Sequence, residues 1–218
     1  AFPPKGFSLR WFEKVLSSSI MIESLRMSSI VASIVAFTAT SLAIVASYGI
    51  ARHRFKGRDL LNTLFNGPIL FPAVLTGMSL VVFFAFLKIG GILALVLGHT
   101  VISFPFALRL ILADQSRFDV SLEEMARTLG AGPLKTFSKI SFPILRPAIV
   151  CGGLFAFIMS FDNVSISIFL TSPTVTTTPV LLYHMTETGQ DPSIAAVSVI
   201  FIVTAVVLLL AIQKLVGI

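Results

Sequence analysis

The sequence predicts an all-α polytopic membrane protein, and three observations carry that prediction. Of its 218 residues, 56% are hydrophobic and only 12% are charged, and the mean hydropathy is +0.97. A soluble domain carries about 25% charged residues, so this chain has about half the usual supply of solvating groups. The apolar residues fall in five runs of roughly the length a helix needs to cross a hydrocarbon core, about 20 residues. These runs are continuously apolar and do not alternate, which favours helices over a β-barrel. A disordered chain, a coiled coil and an ordinary soluble enzyme are excluded. The formal charge of +6 then belongs to cytoplasmic loops, not to a nucleic-acid surface, and no nucleic-acid partner is expected.

The opening Ala1-Phe-Pro-Pro-Lys-Gly6 has neither a starting Met nor the basic and apolar regions of a signal peptide. Lys5 to Arg26 is mixed in character, so the chain reads as a fragment or processed product with an upstream sixth span expected. The first run extends from about Ser28 to Ile50 and stops at Arg52-His-Arg-Phe-Lys-Gly-Arg58, which holds four Lys/Arg in seven residues. A second, about Leu64 to Leu87, is interrupted near its start by Gly67-Pro68 and Pro72. Lys88 and Gly90-Gly91 make a tight turn before the third, Ile92 to about Ala113. Asp114 to Lys139 is polar, with charges of both signs. The fourth run is about Ile144 to Leu170. A turn-rich segment, Thr171 to Pro192, leads to the fifth, Ser193 to about Ile212.

Alternate loops divide the 16 Lys/Arg unequally: 11 lie on one side and five (Lys5, Arg10, Lys14, Arg26 and Lys88) on the other. The richer side is the expected cytoplasmic face. The loop Thr171 to Pro192 has no Lys or Arg and is expected outside.

Residues 119–147 of the cytoplasmic stretch carry the most specific signal. Ser121 and Glu124 have the spacing of a capping box. Leu122, Met125, Ala126 and Leu129 follow at i, i+3, i+4 and i+7 and predict a short amphipathic helix. Gly130 can take positive φ and end it, and Gly132-Pro133 restarts a second helix with Pro in its first turn. The expected product is a helix, a sharp turn and a helix, lying beneath the membrane between two spans. Such a knob suits a groove on a soluble partner or a position among lipid head groups.

The spacing Glu124-Met-Ala126, three residues, Gly130, nine residues, Ile140-Ser-Phe-Pro143 resembles the EAA loop of permease subunits from binding-protein-dependent ABC importers. That family's pattern is Glu-Ala-Ala, three, Gly, nine, Ile, one, Leu-Pro. Met125 and Phe142 depart from it, both conservatively apolar. The opening Gly6-Phe-Ser-Leu-Arg-Trp-Phe12, Gly57-Arg58, Pro68 to Pro72, His99 with Phe104-Pro-Phe106, and Phe157-Ile-Met-Ser-Phe-Asp162 resemble the spermidine/putrescine-type branch. The resemblance implies a type I ABC importer permease fold over residues 1–218 as one transmembrane domain, with residues 119–143 as its coupling loop. Glu124, Met125, Ala126, Leu129, Gly130, Ala131 and Gly132 would contact the ATPase. It further implies a second permease subunit, two ATP-binding subunits holding ATP and Mg, and an extracytoplasmic solute-binding protein. The setting would be the bilayer of a bacterial inner membrane. The implied solute is a small polar amine, polyamine first and opine or a related compound second.

Asp162 is the one acid placed well inside a predicted span, and an ionised acid in hydrocarbon usually faces a cavity or a partner. Ser160, Asn163, Ser165 and Ser167 near it give that helix a polar stripe, of which Asp162, Ser160, Asn163 and Ser165 are the candidate lining for the solute path. His99 reads best as a satisfied packing residue, and no two His have ligand-like spacing, so no metal is expected. Cys151, the single cysteine, excludes a disulfide framework. Pro68, Pro72 and Pro105 are expected to kink their spans, and Val180 to Met185 to form a short re-entrant or interfacial helix. No Gly-rich loop ending in Gly-Lys-Ser/Thr, HExxH motif or nucleophile elbow is present. The chain is therefore not expected to be an enzyme or to hold a cofactor itself. The alternative of another class is an ion-coupled secondary transporter, which a single intramembrane acid and no visible internal repeat do not favour.

Overall fold

The structure, a computed structural model, describes residues 8–172, 175–189 and 191–216. Lys5 and the Gly6-Phe7 part of the opening motif lie outside the described residues. The described chain is helical throughout, apart from an isolated antiparallel bridge between Ser172 and Val175. In order the helices are α1 (Arg10–Ser17), α2 (Ser19–Arg52), α3 (Arg58–Leu70), α4 (Ala73–Phe86), α5 (Gly91–Arg117), α6 (Ser121–Thr128) and α7 (Pro133–Thr136). A π-helical turn, Phe137–Ser141, leads into α8 (Phe142–Phe161), followed by α9 (Ser167–Leu170), α10 (Thr178–Thr188) and α11 (Ser193–Val216).

Among the described residues, three helices are long and apolar enough to cross a membrane: α2, α5 and the continuous stretch Pro133–Phe161. At 34 residues, α2 is about 51 Å long at 1.5 Å per residue and outreaches the expected Ser28 to Ile50. The second expected span is a bent pair instead: α3 and α4 meet at 105°, and a fourth crossing exists only if both count as one span. Pro72 disfavours α conformation in the residue before it, and Phe71 is extended at φ −94°, ψ 144°. Pro68 is carried inside α3 and Pro105 inside the unbroken α5.

The fourth expected span, Ile144 to Leu170, is also corrected. Its helix stops at Phe161 because Asn163 turns its side chain onto the backbone, Oδ1 accepting from the Ile166 amide at 2.8 Å. A short polar side chain that satisfies a backbone donor this way competes with helix continuation. Asp162 therefore occupies a break between α8 and α9, not the interior of a span. The fifth expected run, Ser193 to about Ile212, falls within the 24-residue α11.

The core lies where α2, α5 and α8 pack on one another. Ala32, Ala39, Ala43, Ala107 and Ala156 are fully buried there, and a Cβ on Gly152 would stand 3.4 Å from the Ala107 backbone. Small residues of this kind let membrane helices approach closely. Large apolar side chains such as Phe37, Val45, Val82 and Phe86 are instead exposed, an exterior that suits lipid and not water.

Candidate functional site

The expected knob between α5 and α8 forms, with a different start. Ser121 is the first residue of α6, and no side chain caps the helix in the capping-box manner. Asp119 supplies the acceptor instead, its Oδ1 taking the Ser121 amide at 3.0 Å. The Ser121/Glu124 capping box is thus corrected to an Asx-type turn at Asp119.

The end of α6 follows the sequence closely. Gly130 has φ +83°, its amide donates to the Arg127 carbonyl at 2.9 Å, and the Ala131 amide donates to the Ala126 carbonyl at 3.0 Å. This is the paired closure of a Schellman turn, in which glycine avoids the left-handed penalty. Pro133 then opens α7 at its first position.

The knob holds its apolar residues outward. Met125 is 54% exposed, Leu129 89% and Leu134 83%; Glu124, Gly130 and Gly132 are exposed, while Ala126 and Ala131 are half-buried. The face turned towards the chain belongs to Glu123, 1% exposed. Arg52, the last residue of α2, donates from Nε to both Glu123 oxygens at 3.2 and 3.1 Å and from Nη2 at 3.1 Å. Ser141, immediately before α8, donates to Oε1 at 2.7 Å, and the Arg127 guanidinium stands 3.9 Å from Oε2. Burial pushes the Glu123 carboxyl up, but the Arg52 and Ser141 hydrogen bonds and the charges of Arg52 and Arg127 outweigh it. The net shift is below the usual carboxylate range. Sequence reasoning missed this group. The signal was the adjacent pair Glu123-Glu124, since two neighbours on an amphipathic helix cannot both face solvent to the same degree.

At the break after α8, the structure separates the four residues expected to line a path. Asp162 is exposed and borders a cavity of about 600 Å³ between α8, α10 and α11, walled by Phe157, Phe161, Tyr183 and Phe201. Ser160 is buried and bonded to His99; Asn163 caps the turn described above. The Ser165 carbonyl lies against Gly77 of α4. His99 is fully buried, with Nδ1 2.8 Å from Ser160 Oγ and Nε2 2.9 Å from Ser167 Oγ. Cys151 is a free thiol, half-buried on α8. Among the described residues no group of three or more His, Cys, Asp or Glu could hold a metal ion.

Residues 21–217 match the family described as the inner membrane component of binding-protein-dependent transport systems. The chain belongs to this family. The putrescine transport system permease protein PotI of Escherichia coli (strain K12) is 32% identical over 205 residues, which cover 90% of this chain and 73% of that protein. The spermidine/putrescine transport system permease protein PotC of the same strain is 27% identical over 210 residues, 96% and 80% of the two chains. The crystal structure of a bacterial ABC transporter involved in the import of the acidic polysaccharide alginate shares the fold. Its TM-score is 0.79 at 16% identity, covering 100% of this chain and 86% of that one.

The chain is therefore the inner-membrane permease component of an ABC importer. It is not an enzyme: the ATPase of such a system is a separate subunit, and nucleotide is bound there. Membership leaves the ion-coupled alternative without support.

Proposed function

We propose that this permease moves a small organic amine, of the putrescine or spermidine kind, inward through a path that includes Asp162. The observation that carries the reading is the chemistry of the cavity at the α8 break. An exposed carboxylate beside four aromatic rings attracts an ammonium group by charge and by the ring faces together. The two polyamine relatives, a putrescine and a spermidine/putrescine permease, support the same class.

In this reading the chain crosses the membrane five times, with α3–α4 as one bent crossing and α8 and α11 as the last two. Arg52 to Arg58 and the α6–α7 knob face the cytoplasm, and α10 faces outside. The chain pairs with a second permease subunit, two ATP-binding subunits and an extracytoplasmic solute-binding protein. Met125, Leu129 and Leu134, with Glu124, Ala126 and Gly130 to Gly132, seat in a groove on the ATPase. Exposed apolar side chains on a cytoplasmic knob otherwise carry an unrelieved hydration cost. ATP binding then stabilises one arrangement of the spans over the other, which is what any ligand-driven transition requires.

The test replaces Asp162 by Asn, which keeps volume and hydrogen bonding and removes charge. Uptake of labelled putrescine and spermidine should fall while membrane abundance and ATPase co-purification stay unchanged. Full uptake by Asp162→Asn would end the role of charge in the path.

A further inference from the structure

The ion pair between Arg52 and Glu123 is unusual in where it lies. It joins the last residue of α2 to the buried face of α6, and Ser141 extends it to the residue before α8. Three elements, one of them 71 residues away from Glu123, meet on one carboxylate.

The covalent connections of α6 are poor levers by themselves. On one side it hangs from α5 through Phe118–Val120, with Phe118 extended at φ −71°, ψ 130°. On the other it passes through Gly130 at positive φ. Both are places where backbone torsion absorbs a displacement. The pair spans both pivots: the Arg52 guanidinium lies 4.6 Å over the Phe118 ring, at the first pivot, while Ser141 holds the chain beyond the second. Tyr48, one turn earlier on α2, adds a ring 5.6 Å from the guanidinium and a long hydroxyl contact to Glu123 at 3.5 Å.

Stability alone is a weak reason for such a pair. Desolvating two charges offsets much of their attraction, and well-packed apolar replacements are often equally stable. What apolar packing lacks is direction: the two-pronged guanidinium–carboxylate contact fixes orientation as well as distance.

We propose that Arg52 and Glu123 are positioning residues that make α2 and α8 follow any displacement of the coupling helix α6. The pair thereby transmits the ATPase's motion to the membrane helices. This rests on the reading that the α6–α7 knob seats on the ATPase. Ser141 is the arm that reaches α8. Without the pair, α6 pivots at Phe118 and Gly130 and the motion is lost in the loops.

The experiment uses the assembled transporter in proteoliposomes and reads how many fold its solute-binding protein stimulates ATP hydrolysis over the basal rate. Arg52→Met or Glu123→Leu alone strands a buried charge, so assembly should suffer. The double variant Arg52→Met/Glu123→Leu removes both charges together. It should recover the wild-type melting temperature and ATPase co-purification, yet lose stimulation on the order of tenfold, within the usual range of coupling between sites. A double variant that is stable and fully stimulated would show the pair to be structural only and overturn the proposal. Ser141→Ala provides a second measurement if the double variant fails to assemble. It keeps the ion pair, should assemble normally and should lose stimulation several-fold, on the order of the lower end of that range; wild-type stimulation would again overturn the proposal. A wild-type chain that does not co-purify with an ATPase would instead remove the seating of the knob, a separate failure.

Discussion

His99 on α5 holds Ser160 at the end of α8, Nδ1 to Oγ at 2.8 Å, and its other ring nitrogen holds Ser167 at the start of α9 at 2.9 Å. In either tautomer each nitrogen has a serine partner, so one imidazole clasps both sides of the break that exposes Asp162.

His99→Leu should therefore leave two buried hydroxyls without partners. Stranded buried polar groups cost about 1–3 kcal/mol each, so the variant should melt several degrees lower in detergent and accumulate less in membranes. His99→Gln, which restores part of the bonding, should fall between. A wild-type melting temperature for His99→Leu would contradict the clasp.

Gly77 predicts a steric contrast. A Cβ there would stand 2.7 Å from Phe169 Cδ2 and 2.9 Å from the Ser165 carbonyl oxygen, whereas a Cβ on Gly67 meets nothing within 4 Å. Gly77→Ala should push α4 away from α9 and destabilise by about 1–3 kcal/mol. Gly67→Ala, inside α3, should be neutral or stabilise by up to about 1 kcal/mol. Thermal unfolding of the two variants side by side decides it, and equal melting would refute the close approach.

Gly130 is the turn of the knob. At φ +83° a β-branched residue such as Val is strained by about 1–2 kcal/mol, and it adds volume where the ATPase would seat. Gly130→Val should insert normally and lose ATPase co-purification and uptake together. Normal values for both would remove Gly130 from the contact.

Lys14 and Asp191 tie α1 to the start of α11 at 2.6 Å. The Lys14 hydrogen bond leads the causes that hold the Asp191 carboxyl down at about 2, against an ordinary 3.8. A carboxyl lowered in the folded state contributes fully above its ordinary value and loses that contribution as pH falls through the folded one. Trp11, the one tryptophan of the chain and 5.3 Å from the Lys14 ammonium, reports the clasp. Its emission should hold steady from neutral pH to about 4 and change as pH falls towards about 2. In Lys14→Ala the change should move up towards the ordinary carboxylate range. A wild-type change already complete at pH 4 would contradict the pairing.

How much was legible divides along physical lines. The positions of α2 and α5 follow from long apolar runs, a property of each segment alone. The α6 closure followed from Gly130 and Gly132-Pro133, because turn chemistry is local. The break after Phe161 was not legible, since Asn163 reads as part of a polar stripe on a continuing helix, and its side-chain bond to the Ile166 amide is not visible in spacing. The bend at Phe71 was foreshadowed by Pro72, but its 105° depends on packing of α4 against α9. Glu123 was hidden most completely: its partner Arg52 lies 71 residues earlier. Of the candidate path residues, Asp162 borders the cavity, while Ser160 and Asn163 are taken up by the clasp and the turn, a division that helical spacing does not reveal.

The central claim, an ATP-driven amine import through this chain, is tested most directly by uptake into proteoliposomes holding the assembled transporter and its binding protein. Labelled putrescine and spermidine are supplied outside, with ATP inside or absent. Accumulation should require internal ATP and be unchanged when proton and sodium gradients are collapsed. Accumulation without ATP, abolished by collapsing either gradient, would contradict it.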